Sequence, residues 1–192
     1  CRKHIRYGTV LTDCILITSR DGVRFRRGEE AFMTPGIERN ANWVYGDCYP
    51  TWGLIETRSD DPDSAPDELS FYCLDYHWIG SQAVRRYTIR KDGFLSYHAG
   101  HEPAWLITRP FTFAGNRLNI NFATSAIGSV RITLLDDAGD AIPGYESCEI
   151  FGDSLERPVD FAGGIDLSAL AGRPVRMRID LQDADIFSFK FD

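Results

Sequence analysis

The chain has 192 residues, 43% of them hydrophobic and 12% aromatic, enough apolar material for one large domain or two small ones. Its formal charge of −7 and pI near 5.1 exclude a general nucleic-acid binder, because neutralising phosphates needs a basic surface. No apolar run approaches the roughly 20 residues that span a bilayer as a helix, so no membrane partner is expected.

In chain order, residues 9–18 (TVLTDCILIT) read as one β-strand, rich in β-branched residues. The run stops at Asp21-Gly22 and resumes at Val23-Arg24-Phe25. Asp-Gly between two strand-like runs predicts a hairpin, because Gly accepts a positive φ without a Cβ clash. Residues 28–42, with Gly28, Pro35, Gly36, Asn40 and Asn42, read as a loop. Residues 43–55 are aromatic and interrupted by Gly46, Pro50 and Gly53, which predicts short strands near a rim. The acidic, Pro-containing stretch 59–67 is a loop. Residues 68–74 and 83–90 are strands, followed by a second Asp-Gly turn at Asp92-Gly93.

Beyond residue 93 the rhythm changes, and a domain boundary is placed there. Residues 118–122, 129–134, 175–179 and 186–191 each alternate apolar with polar, the period of a strand with one wet face. Gly139 among Asp136, Asp137 and Asp140 predicts a turn between strands. Residues 166–172 are the one helical candidate, opened by Asp166 and closed by Gly172. The fold class is therefore all-β, with an antiparallel sandwich in the second half. The five cysteines, Cys1, Cys14, Cys48, Cys73 and Cys148, form no CxxC pair or zinc spacing. Buried free thiols are expected, most clearly for Cys14 and Cys73 in apolar runs.

The order SRDGVRFRR, NWVYGDCYPTWGLIET, DELSFYCLDYHW and RRYTIRKDGFLS resembles the last part of a five-bladed β-propeller of the invertase and arabinanase type. The segments GSVRITLLDDAGDAIPGY and AGRPVRMRIDLQDADIFSFKF resemble the C-terminal β-sandwich attached to such propellers in bacterial glycosyl-hydrolase-like proteins. The resemblance implies partial propeller blades over 1–93 and a jelly-roll-type sandwich over 94–192. It implies a glycoside-hydrolase-like parent, secreted or periplasmic, acting on a polysaccharide or oligosaccharide. In that superfamily the catalytic acids sit on the first three blades, so this chain is expected to be a non-catalytic piece of a longer protein. The absence of an initiator Met at Cys1 fits the same expectation. Incomplete blades leave sheet edges open to pairing with another copy.

Three functional readings stand. The chain supports a propeller and contributes to carbohydrate binding, or it is a lectin-like module, or it is a structural assembly domain. The candidate sugar-binding residues are Asp75, Tyr76, His77 and Trp78, at the end of an apolar strand, with Tyr49 and Trp52. Aromatic faces stack on sugar C–H surfaces, and Asp and His bond hydroxyls. The same residues read equally as a core cluster. Asp47, Glu56 and Asp75 are the acids placed near aromatic or strand-end positions, yet surface carboxylates are the simpler reading, and no catalytic residue is assigned. The string His98-x-x-His101-Glu102 lacks helical context, and the aspartates around Gly139 lack a full calcium loop. No metal and no cofactor are expected.

Overall fold

The computed structural model describes residues 11–38, 42–43, 47–59, 68–77 and 82–192. Among these there is no α-helix, so no helix is long and apolar enough to cross a membrane. The chain is all-β, built from antiparallel pairs. It divides into two compact units, Cys1–Ile89 and Arg90–Asp192, where the sequence reading puts the boundary at residue 93.

The first unit opens with β1 (Cys14–Ser19) and β2 (Phe25–Met33), a two-stranded antiparallel sheet. The Asp21-Gly22 turn joins them as the sequence predicts. Gly22 has φ +71°, and Asp21 Oδ1 accepts from the backbone N–H of Val23 and Arg24 at 2.9 and 2.7 Å. These bonds hold the Asp21 carboxyl below the usual carboxylate range, Arg24 contributing most. β1 starts later than expected, and β2 runs on through Gly28, which the sequence assigns to a loop. The pairing accommodates this with register shifts, two of them within β1.

The rest of the unit is a meander. β3 (Tyr49–Pro50) and β4 (Ile55–Thr57) pair with one end and the other of β5 (Glu68–Asp75), and β6 (Ala83–Arg90) also pairs with β5. Met33, Cys48, Phe71 and Cys73 form its buried core, with Cys14, Phe32, Tyr87 and Ile89 packed against it. Phe71 stacks on Tyr87 at 5.6 Å between centroids. Burial pushes the Cys48 thiol up to about 11 and the Cys73 thiol up to about 12, so both are inert hydrophobes at neutral pH.

The second unit is organised by two long strands, β9 (Leu118–Leu135) and β12 (Arg176–Phe191). The sequence predicts four short strands here. No turn residues separate the members of each pair strongly enough to break the chain, so each pair is one strand with irregularities. β9 pairs with β11 (Asp153–Pro158) through its first half and with β10 (Ala141–Glu146) through its second. β12 likewise pairs with β8 (Ala104–Ile107) early and β7 (Tyr97–Ala99) late. Leu118, Ile120 and Phe122 from one half of β9 share a single buried cluster with Val130, Ile132 and Leu134 from the other. One sheet therefore bends over one core.

A bulge in β12 makes this possible. Met177, Ile179 and Leu181 are buried at odd positions, Ala184 and Ile186 at even ones. The register shifts between Gln182 and Ala184, and Asp183 there has φ +41°. The extra residue changes the alternation so that both halves keep their apolar side on the core. Opposite it, a Cβ on Gly128 would lie 2.2 Å from the Asp183 carbonyl oxygen, so only glycine fits that approach. The predicted Asp136–Asp140 turn joins β9 to β10, with Gly139 at φ +100° and Asp136 Oδ1 accepting from the N–H of Gly139 and Asp140. The helical candidate at 166–172 is a 3-10 turn, Ser168–Leu170, with Asp166 Oδ1 accepting from Ser168 N–H at 3.0 Å.

Arg90 is the main polar anchor of this unit. Its guanidinium lies 4.3 Å from the Phe187 ring centroid and donates to Asp153 at 2.9 Å and to the buried Asn121 at 2.7 Å. The adjacent Asp92-Gly93 turn, its Gly93 N–H bonded to the Arg90 carbonyl, is thus tied to the outer face of β9 and β12, where Ser188 donates to Asp92.

Candidate functional site

The first unit holds a cavity of about 230 Å³. Drug-sized pockets run from about 300 to 1,000 Å³, so this one suits a single small polar ligand. Three turns and one strand make it. Pro35 and Gly36 come from the segment after β2, Asp47 and Cys48 from the turn before β3, Asp75 and Tyr76 from the end of β5, and Arg85 and Tyr87 from β6.

Local chemistry fixes each wall. Asn42 Nδ2 donates to the carbonyls of Pro35 and Ile37 at 2.8 and 2.9 Å, and Trp43 Nε1 donates to the Gly36 carbonyl at 3.0 Å. These bonds pin the first turn. Asp47 is 2% exposed, and its Oδ1 accepts from His77 N–H at 3.0 Å. That bond ties the second turn to the third. Cys48 and Tyr76 have φ of +62° and +61°, a left-handed conformation that costs non-glycine residues energy. Two such residues line one small cavity, which is where strained backbone concentrates in functional sites.

The electrostatics are mixed. Arg85 Nε meets Asp75 Oδ2 at 2.6 Å, and the Asp75 charge raises the Arg85 pKa. Burial raises the Asp47 carboxyl above the usual carboxylate range, opposed by the backbone N–H bonds of His77 and Tyr76 and reinforced by the Asp75 charge. Burial and the Asp75 charge also raise the Tyr87 phenol, which stays a hydroxyl. The cavity is thus bordered by a guanidinium, a phenol and two carboxyls in unlike environments. It can donate and accept hydrogen bonds without carrying a large net charge.

Of the residues proposed from sequence, the structure brings Asp75 and Tyr76 together on the cavity. His77 stands next to them, its backbone N–H on Asp47 and its Nδ1 3.4 Å from Gln82 Nε2. Trp52 is fully exposed and Tyr49, on β3, is partly exposed. Neither lines the cavity. Trp78 lies outside the described residues. Arg85, Tyr87 and Cys48 were missed, because a strand-borne Arg or Tyr has no local signature. Asp47 was singled out only as a carboxylate near aromatics, and its burial depends on the 75–77 turn.

Elsewhere, His98 and His101 do not converge. Each lies beside a different aspartate, His98 at 3.1 Å from Asp185 and His101 at 3.7 Å from Asp183. Among the described residues no group of three His, Cys, Asp or Glu is placed to hold a metal ion. The described cysteines are free, Cys48 and Cys73 buried, Cys14 partly so and Cys148 exposed. Comparison with protein-family models, with curated proteins and with solved structures finds no match to this chain.

Proposed function

We propose that this chain is the C-terminal part of a bacterial glycoside-hydrolase-like protein, and that its first unit binds one residue of a polysaccharide or oligosaccharide. In this reading the first unit supplies the last blades of a five-bladed propeller and the second is a jelly-roll-type sandwich that supports it. The chain binds sugar and is not catalytic on its own. The resemblance of the sequence segments supports the parentage. The observation that carries the binding reading is the convergence of Asp47, Asp75, Arg85 and two tyrosines on a small, braced cavity. A sugar hydroxyl both donates and accepts, so it is served by a carboxylate beside a guanidinium. A strongly anionic or cationic ligand meets a like charge there.

A glycan-array screen of the purified chain tests this, with Asp75→Asn alongside. Binding to one glycan class, weakened about tenfold or more in the variant, is the expected result. Binding that Asp75→Asn leaves intact removes the cavity from the account.

A second reading, as an assembly module, has its own support. β1 and β2 form a separate two-stranded sheet, and Ile17, Phe25, Ile55 and Val84 are exposed in this unit. Open edges and apolar surface favour pairing with another copy. Sedimentation at increasing concentration separates the readings, since assembly gives a rising mass in the absence of glycan.

A further inference from the structure

The hairpin that opens the first unit carries a charge pattern that the cavity does not use. Arg20, Arg24, Arg26 and Arg27 stand close together in a chain whose net charge is −7. Asp21, the carboxylate among them, is engaged by its own turn. Its Oδ1 accepts from the Ser19 hydroxyl at 3.1 Å as well as from Val23 and Arg24 N–H. Every residue from Arg20 to Arg27 is exposed. The other end of the hairpin is rooted, since Met33 belongs to the unit's buried core and its register partner Cys14 packs against that core. The basic end therefore faces solvent. Glu29 and Glu30 follow on β2, set off from the arginines by the register shift between Ile15 and Ile17.

The register sorts these side chains. Ile17 stands opposite Arg27 and Ser19 opposite Phe25, so these share one face, while Thr18 and Arg26 share the other. Ile17 is 56% and Phe25 58% exposed. Among the described residues β2 pairs with β1 alone, so its second edge presents backbone N–H and C=O groups to a further strand. A two-stranded ribbon is marginal in water, and a third strand completes it. Charge on an edge also serves to keep strands off. That role accounts for the arginines against a second copy of this hairpin, where like charges would meet. It leaves the exposed Ile17 and Phe25 without a role, and it does not repel an acidic strand.

We infer that the free edge of β2 docks an extended acidic segment of a partner protein, one that alternates carboxylate with apolar side chains. Backbone pairing along the edge supplies affinity, and the alternate side chains supply selection. On one face the added strand sets a carboxylate beside Arg26, where a guanidinium makes charge-assisted bonds. On the other it lays an apolar side chain beside Phe25, with Ile17 in the next strand. A nucleic acid offers charge but no strand to pair, and the acidic chain as a whole repels it. The inference rests on neither the sugar site nor assembly with another copy, because the hairpin shares no residue with the cavity.

The test is fluorescence anisotropy on the full chain with labelled peptides of about seven residues, the length of an ordinary strand. Three probes alternate Glu, Gln or Lys with Val, and a fourth holds Glu and Val in two separate blocks. Oligothymidylate is the polyanion without a peptide backbone. The alternating Glu peptide is expected to bind about tenfold or more tightly than each of the others and to slow amide exchange within residues 24–27. Arg26→Glu, which sets like charges together, should weaken that binding about tenfold, and Phe25→Thr about fivefold. Both positions are exposed. Asp75→Asn should leave peptide binding unchanged, so failure of the sugar reading and failure of this one are told apart. Absence of binding by the alternating Glu peptide overturns the inference. So does equal binding of the block peptide or of oligothymidylate, which would make the hairpin a plain anion patch. Binding that both hairpin variants retain, or self-association of the chain that Phe25→Thr abolishes, overturns it as well.

Discussion

At the scale of single residues, Asp47 ties the turn before β3 to the end of β5. Its carboxyl is buried and its pKa is raised in the folded chain, so the native state holds this proton more firmly than the unfolded state. Stability from this group is fully present below the ordinary carboxylate pKa and is lost as pH rises through the raised value. Asp47→Asn replaces the titrating group with a neutral one that still accepts from His77 N–H. In urea unfolding across pH 3 to 8, roughly the span of perturbed carboxyls, the wild type should lose stability relative to the variant as pH rises. A constant difference between them would show that Asp47 does not titrate with folding. Gly128 carries the other residue-scale claim. A side chain there meets the carbonyl oxygens of Asp183 and Gln182 at 2.2 and 2.8 Å, and backbone atoms cannot rotate away. Gly128→Ala should cost about 1–3 kcal/mol, read as a lower denaturant midpoint of the second unit, and an unchanged midpoint would mean the two strands do not approach as described.

At the scale of elements, the decisive feature is the bulge in β12. Asp183 in the left-handed region costs roughly 1–2 kcal/mol relative to glycine, and it turns Ala184 and Ile186 onto the core side. Asp183→Gly should be neutral or slightly stabilising, since its ionic neighbour among the described residues, His101, is exposed and 3.7 Å away. Asp183→Val should destabilise by more than about 1 kcal/mol, because a β-branched side chain resists positive φ. Equal effects of the two would place the bulge elsewhere. The same element shows what the sequence makes legible. The alternation at 118–122, 129–134 and 186–191 identifies the strands, but it gives the wet face only at 129–134: at 118–122 Asn119 and Asn121 are as buried as their apolar neighbours, Asn119 bonded to Asp192 and Asn121 to Arg90 and the Lys91 carbonyl. The joining of these runs into β9 and β12 is not visible, because continuity depends on a bulge stabilised by the opposite strand. The turns at Gly22 and Gly139 are legible because their chemistry is local. The start of β1 and the passage of β2 through Gly28 are set by pairing between the strands.

At the scale of the whole molecule, the chain divides into a meander-containing unit that carries the candidate site and a unit built on the two long strands β9 and β12. Among the described residues the second unit's core cluster holds twenty buried residues. In the first unit the turn-to-turn hydrogen bond from His77 N–H to Asp47 braces the cavity. This explains how much of the site could be read beforehand. Asp75 and Tyr76 were found because a strand-end cluster of polar and aromatic residues is a local pattern. Arg85 and Tyr87 reach the same place through the pairing of β6 with β5, which no spacing in the sequence announces. Trp52, conspicuous in the sequence as an aromatic between breakers, stands in solvent because the two-residue strand before it carries it out of the fold.

Hydrogen–deuterium exchange on the full chain, with and without the glycan selected by the array, tests sugar binding by the first unit most directly. Added protection at residues 34–36, 47–48 and 75–77 is the predicted result, with Asp75→Asn abolishing it at the same glycan concentration. Binding accompanied by no change in those three segments would contradict the account and move recognition to another part of the molecule.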